Sequence, residues 1–189
     1  MHPLAANGWC VWVTGLPGSG KSVVAEALLE KLKAKGIHAR IVSSDMLRKV
    51  VTPEPTYSQE ERDMVYNALV LVARLITLEG YNVIIDATGN LKRYRNQARK
   101  RIPRFIEAYI RCPLEICIER ETKRGKTFRA PKQIYRKALE GKAPTVPGIG
   151  APYEEPQHPE VVVDSDMLNP DQCAQKILEA IKNHFLSKA

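Results

Sequence analysis

The chain has 189 residues, of which 44% are hydrophobic and 26% charged, a composition that suits one soluble globular domain with a full core. No apolar run approaches the roughly 18 residues needed to cross a bilayer, and residues Met1 to Gly8 lack the basic-then-apolar layout of a secretory signal, so a cytoplasmic protein without membrane contact is expected. The net charge of +8 is uneven: Lys92 to Lys142 holds 17 Lys and Arg against 5 Asp and Glu, a net of +12 that leaves −4 for the remainder, and such a basic half either faces an anion (polyphosphate, an acidic acceptor or RNA) or is a solvated surface.

In chain order, Trp9 to Thr14 is a short apolar run that ends in a Gly-rich turn, which predicts a buried strand. Ser22 to Lys35 follows with Val23, Ala27, Leu28 and Leu32 at helical spacing and Gly36 at the position of a C-cap. Ala39 to Ser43 is a second strand. Ser58 to Glu79 is a long helix, opened by a capping box of Ser58 with Glu61 and closed by Gly80. Asn82 to Asp86 is a third strand, Arg93 to Arg101 a basic helix, Phe105 to Arg111 a fourth strand, and Pro113 to Arg124 a helix with proline in its first turn. Glu160 to Asp164 is a fifth strand, and Asp171 to Leu186 a closing amphipathic helix. Strands alternating with helices predict an α/β fold, a parallel five-stranded sheet sandwiched by helices, in one domain over residues 1–189. Between the last two strands the chain is basic and then rich in proline (Pro144, Pro147, Pro152, Pro156, Pro159). Residues 121–152 are therefore expected to form a lid. The cysteines, Cys10, Cys112, Cys117 and Cys173, form no CxxC pair and have no His at zinc spacing, so they read as small buried hydrophobes.

Gly15-Leu16-Pro17-Gly18-Ser19-Gly20-Lys21-Ser22 fits the phosphate-loop pattern G-x-x-x-x-G-K-[ST], with a strand before it and a helix after it. The glycines let backbone N–H groups turn inward onto phosphate oxygens, and the helix N-terminus adds partial positive charge. In that setting Lys21 reaches the β- and γ-phosphates of ATP, and the Ser22 hydroxyl ligates magnesium (Mg2+). The expected fold is thus of the P-loop NTPase type, and the expected chemistry is transfer of a phosphoryl group from ATP to a hydroxyl.

Two aspartates follow strand ends, where ligands bind in open parallel sheets. Asp45 is favoured as the base that takes the proton of the attacking hydroxyl, with Asp86 nearer the metal. The structural alternatives are an N-cap for Met46–Val50 and a turn carboxylate. Asp164 and Asp166 also follow a strand and read as capping residues.

The chain resembles adenylylsulfate kinase (adenosine 5′-phosphosulfate kinase) from about Trp9 to Asp166. The similarity is carried by Gly15–Ser22, by Asp45-Met-Leu-Arg48, by Tyr57-Ser58 with Arg62, by Arg111 to Arg120, and by the lid segments Tyr135–Ala138, Gly148-Ile149 and Pro152–Pro156. The resemblance implies that Asp45 accepts the proton of the acceptor's ribose 3′-hydroxyl. It further implies that Arg48 and Arg62 bind the phosphosulfate, that Tyr57 stacks on the adenine, and that Lys137 covers the phosphates. Arg93 is the one residue kept from a Ser-Pro-aromatic-Arg motif and counts with the substrate-binding set. The chain departs from the family at Ser43, where a first acid is common, at Asn67 in place of an arginine, at Asn90, which stands where the family can carry a serine, and at Val146, which replaces a second adenine-stacking aromatic. It also has an insertion around Thr122–Arg129, and Asp86 is an acid where the family usually has none.

Two other functions compete. An RNA or aminoacyl-tRNA acceptor would use the +12 region, although no aromatic-rich basic sheet or separate RNA-binding domain is evident. A non-enzymatic nucleotide switch would need a partner-binding extension for which few residues remain. The sequence sets no oligomeric state and leaves a homodimer open. The phosphate loop makes the most direct prediction. Lys21→Ala is expected to abolish turnover and weaken ATP binding, because a desolvated polyphosphate loses its cation; steady-state kinetics and calorimetric titration with ATP check this, and near-normal activity would overturn the loop assignment.

Overall fold

The computed structural model describes residues 7–123 and 133–186. Most of the expected insertion at Thr122–Arg129 lies outside them, so the lid is described over 121–123 and 133–152.

Five parallel strands form one sheet in the order β2-β3-β1-β4-β5: β1 (Cys10–Thr14), β2 (Ala39–Ser43), β3 (Asn82–Asp86), β4 (Phe105–Arg111) and β5 (Val161–Asp164). The helices are α1 (Lys21–Lys33), α2 (Ser44–Val51), α3 (Gln59–Leu78), α4 (Lys92–Arg101), α5 (Leu114–Lys123), α6 (Ile134–Leu139) and α7 (Pro170–Ile181), the last running on into a π-turn at Lys182–Leu186. None of the helices described is long and apolar enough to cross a membrane.

Strand periodicity divides the core into two layers. Trp9, Val11 and Val13 of the first strand region, with Ile84 of β3, pack with Val24, Leu28 and Leu32 of α1 and Ile177, Leu178 and Ile181 of α7. Cys10 and Trp12, with Val83 and Ile85, face the other way onto Tyr66, Leu69, Val70 and Ala73 of α3 and Tyr94, Ala98 and Ile102 of α4. A smaller third cluster of Cys112, Cys117, Tyr135 and Val146 lies between α5 and the lid. All four cysteines are buried and unbridged.

Several local expectations shift. Ser43, not Asp45, is the N-cap residue of α2, and its Oγ accepts from Asp45 N at 3.2 Å. Ser58 Oγ does accept from Glu61 N at 3.3 Å, but the Glu61 carboxylate does not return to Ser58; it takes the N–H groups of Thr56 and Tyr57. α7 is capped by Asn169 in a capping box with Gln172. Asp164 instead pairs with Arg111 at 2.5 Å, and its backbone carbonyl accepts from Met167 and Leu168.

Much of the central basic charge is spent within the chain. Arg93 pairs with Asp63 at 2.5 Å, Arg95 with Glu107 at 2.5 Å, and Arg99 with Glu160 at 2.5 Å. Arg104 donates to the carbonyls of Asn7 and Phe185. The Arg95 guanidinium is 2% exposed and donates also to the carbonyls of Gly89 and Glu154. Removing one partner of a buried pair strands the other charge. Arg95→Met is therefore expected to cost about 3–5 kcal/mol of folding stability, whereas Arg93→Met, at a half-exposed pair, costs less than about 1 kcal/mol. Urea unfolding of the two variants checks the contrast.

Candidate active site

The phosphate loop connects β1 to α1 at the centre of the sheet. β1 lies between β3 and β4, and the chain crosses in opposite directions from it, so the loop sits where ligands enter open α/β sheets. Gly18 has φ +81°, and a Cβ there would lie 2.3 Å from the Cys117 carbonyl oxygen, so the approach of the loop to α5 requires glycine. Gly20, with φ +96°, has open space where a side chain would point, so it is the left-handed backbone that calls for glycine there. Lys21 opens α1 and is 9% exposed, and its Nζ donates to the Leu16 carbonyl at 2.9 Å, across the loop. Ser165 Oγ donates to the Ser19 carbonyl at 2.8 Å and ties the loop to the end of β5.

Asp86 and Asp45 reach this same carboxyl edge. Asp86 pairs in register with Val13 on one side and Ser43 on the other, and Asp45 lies two residues beyond Ser43. The turn that follows Asp86 is fixed by side chains from several elements. Trp12 Nε1 donates to Ala87 O at 2.9 Å, Thr14 Oγ1 to Thr88 O at 2.6 Å, and Gly89 N to Tyr66 Oη at 3.0 Å, while Arg95 holds Gly89 O. Asp86 itself is 7% exposed.

On the β2 side stands a second cluster. Tyr57 is a non-glycine residue at φ +56°, a conformation that costs roughly 1–3 kcal/mol and marks functional sites. The Arg48 guanidinium lies 4.9 Å from the Tyr57 ring centroid. Its Nη1 is buried without a hydrogen-bond partner, 3.9 Å from Glu61 Oε2. Arg62 is 8% exposed; it donates through Nε to Tyr57 O at 3.3 Å and through Nη2 to Thr145 O at 2.6 Å. Burial lowers the Arg62 pKa and raises that of Tyr57, the latter against an opposing pull from Arg48. Hydrogen bonds from the Thr56 backbone, above all, hold the Glu61 carboxyl below its usual range.

On the opposite side of the loop, toward β5, a cleft of about 480 Å³ is lined by Ser19, Gly20, Val23, Arg120, Asp166 and Asn169, among others. Arg120 is fixed there by Ser165, donating to its Oγ at 3.2 Å and its carbonyl at 2.7 Å. The sheet order thus places one cavity and one arginine-tyrosine cluster on either side of the phosphate loop.

The described parts of the lid are fastened to the site. Tyr135 of α6 donates to the Pro17 carbonyl at 2.8 Å. Glu121 accepts from Ile134 N at 3.1 Å and so joins α5 to α6. Asn90 donates through Nδ2 to Pro152 O at 3.1 Å, Glu154 N donates to Asn90 O at 2.7 Å, and the Tyr153 hydroxyl lies 3.0 Å from Thr14 Oγ1. Asn90 therefore has a structural task at the position where the family can carry a serine. Val146 is 8% exposed and packs in the third apolar cluster with Leu16 and Tyr135 close by, so an aromatic residue there would have to displace those neighbours. Lys137 is exposed on α6, and Arg93 is engaged with Asp63 and lies over the Tyr94 ring. Sequence reasoning missed Glu61 as a site residue, together with Arg95, Arg120 and Tyr153. Glu61 at the third helical position resembled a cap, and the other three become significant only through contacts between distant segments.

Among the described residues no group of three or more His, Cys, Asp or Glu side chains gathers that could hold a metal. A Mg²⁺ ion bound mainly by nucleotide phosphates and water asks for only one or two protein oxygens, and Ser22 and Asp86 are the residues expected to offer them.

A phosphate loop at the switch point, with a cleft toward β5 on one side and a cationic aromatic cluster on the other, fits a kinase of the P-loop class. The family model for adenylylsulphate kinase matches residues 7–164. A probable adenylyl-sulfate kinase of Pyrococcus abyssi is 36% identical over 176 residues, covering 93% of this chain and 96% of the relative. A second, of Archaeoglobus fulgidus, is 37% identical over 156 residues, covering 82% and 95%. The structure of the Mycobacterium tuberculosis APS kinase CysC in complex with AMPPNP and APS superimposes with a TM-score of 0.82 at 32% identity, covering 93% of this chain and 98% of that one. The chain belongs to the adenylylsulphate kinase family.

The two aspartates separate kinetically if their roles are as expected. Asp45→Asn is expected to lower kcat by about 10²–10⁴-fold, the scale of a lost general base, with ATP affinity little changed. Asp86→Asn is expected to raise the Mg²⁺ concentration needed for half-maximal rate. Magnesium titrations of both variants check the assignment, and a wild-type Asp45→Asn beside an inactive Asp86→Asn would reverse it.

Proposed function

We propose that the protein transfers the γ-phosphoryl group of ATP to the 3′-hydroxyl of adenosine 5′-phosphosulfate, giving 3′-phosphoadenosine 5′-phosphosulfate. The observation that carries this reading is the cluster of Arg48, Tyr57 and Arg62 on the side of the phosphate loop opposite the nucleoside cleft. A phosphosulfate on adenosine needs guanidinium donors for its oxygens and a π-face for its base. Arg48 brings a buried donor with no hydrogen-bond partner, and Tyr57 brings the ring. The Mycobacterium tuberculosis relative, in complex with AMPPNP and APS, supports the same pair of ligands.

In this mechanism the nucleoside of ATP occupies the cleft beside Ser19 and Arg120, and its phosphates lie along Gly15–Ser22. Lys21 turns from the Leu16 carbonyl to the β- and γ-phosphates. Mg²⁺, held by the Ser22 hydroxyl and the Asp86 side, would neutralise developing charge on the phosphoryl oxygens. Asp45 accepts the proton of the 3′-hydroxyl as its oxygen attacks the γ-phosphorus and the bond to the β-phosphate oxygen breaks. Arg48 and Arg62 hold the acceptor's anion, and Tyr57 stacks on its base. Lys137 and Arg93 complete the acceptor side from the lid and from α4 once both substrates are in place. The ion pairs that engage much of the basic region favour this small-molecule acceptor over RNA.

Incubating the protein with ATP, Mg²⁺ and adenosine 5′-phosphosulfate is expected to yield the 3′-phosphorylated product. Stacking on an aromatic is worth roughly 1–3 kcal/mol per base, so Tyr57→Ala is expected to raise KM for the acceptor about 5- to 150-fold while leaving KM for ATP alone. Phosphorylation of a sugar, serine or tRNA-linked hydroxyl without any transfer to adenosine 5′-phosphosulfate would leave only the kinase class standing.

A further inference from the structure

Glu61 has no part in the chemistry described above, yet its carboxylate is the hub of the acceptor cluster. Oε1 accepts from Thr56 N at 2.8 Å and Oε2 from Tyr57 N at 2.7 Å. Oε2 also faces Arg48 Nη1 at 3.9 Å. A glutamate at the third position of a helix ordinarily folds back onto the N–H of the cap residue. Here the Ser58 N–H is taken by Thr56 Oγ1 at 3.3 Å, and the carboxylate reaches past it. The next residue closes the turn from the other side, since Arg62 Nε donates to the Tyr57 carbonyl at 3.3 Å. Both backbone polar groups of Tyr57 are thus held by the side chains of two consecutive residues. The residue so held is the one at φ +56°, with the Arg48 guanidinium over its ring.

We propose that Glu61 is a positioning residue for the acceptor: its carboxylate clamps Tyr57 in the left-handed conformation and orients Arg48, so that stacking surface and anion donor are set before the acceptor arrives. The inference deepens the proposed function and rests on it for the identity of the acceptor. A preset site avoids the ordering of a loop and two long side chains on binding, so loss of the clamp weakens acceptor binding without touching the phosphate loop.

The test is Glu61→Gln, which keeps size and helix propensity but offers one acceptor oxygen for two N–H donors. In the full-length protein the amide hydrogens of Thr56 and Tyr57 are expected to exchange faster by NMR. KM for adenosine 5′-phosphosulfate is expected to rise about tenfold, the scale of one charge-assisted hydrogen bond, with KM for ATP and Tm unchanged. Because Glu61 acts through Tyr57 as well as on Arg48, adding Glu61→Gln to Tyr57→Ala is expected to raise the acceptor KM by clearly less than the product of the two single effects. The proposal is overturned by unchanged exchange at Thr56 and Tyr57, by an equal rise of both KM values together with a lowered Tm, or by effects that multiply in the double variant. A wild-type protein inactive on adenosine 5′-phosphosulfate would retire the proposed substrate, while the exchange measurement still decides the clamp.

Discussion

The guanidinium of Arg95 is almost wholly withdrawn from water, and the turn after β3 is organised around it. A buried cation is tolerated only where its donors are satisfied. Arg95 finds acceptors in the Glu107 carboxylate on β4, the Gly89 carbonyl after β3 and the Glu154 carbonyl at the lid's return. Glu107 lies 3.6 Å from Arg99, which forms a bidentate pair with Glu160 at the entry to β5. The turn that carries Asp86 away from the sheet is therefore coupled electrostatically to β4, to β5 and to the chain returning from the lid. Glu154 contributes a second time, because its carboxylate accepts from Lys92 N and places negative charge at the N-terminus of α4.

The strand order then gives the phosphate loop two distinct flanks. β1 lies in the middle with the phosphate loop at its end, β4 and β5 lie on the side of the cleft that Ser19 and Arg120 line, and β3 and β2 carry Asp86 and lead into Asp45 and Arg48. In the proposed function each substrate is bound by its own half of the sheet, with the transferring phosphoryl group at the boundary. The lid contacts both halves. Tyr135 reaches the Pro17 carbonyl in the phosphate loop, and Arg62 takes the Thr145 carbonyl beside the acceptor cluster.

Strain at Tyr57 belongs to the same design. An aromatic residue in a left-handed conformation persists only where its surroundings over-determine it, and here they consist of a carboxylate on its N–H, a guanidinium on its C=O and another over its ring. The arrangement also explains why Val146 does not serve as an open platform. It fills the apolar cluster that seats α6 on α5.

The sequence by itself determined the parallel α/β fold, most element boundaries to within a residue or two, the phosphate loop and the family. These rest on local chemistry: strand and helix periodicities, turn glycines, and a motif whose ligand contacts come from consecutive residues. It also placed Asp45 and Asp86 at strand ends, because position along a strand follows from the strand itself. What only the tertiary structure decided are the contacts between distant segments. No periodicity distinguishes Arg95, which is buried, from Arg93, half-exposed two residues earlier; the difference is the presence of Glu107, Gly89 and Glu154 around one of them. Glu61 looked like one half of a capping box, and only the folded path of Thr56 and Tyr57 redirects its carboxylate. The basic character of the central region was visible as a sum of charges, but whether those charges face solvent or one another depends on which acids the fold brings alongside, and that is a property of three-dimensional packing.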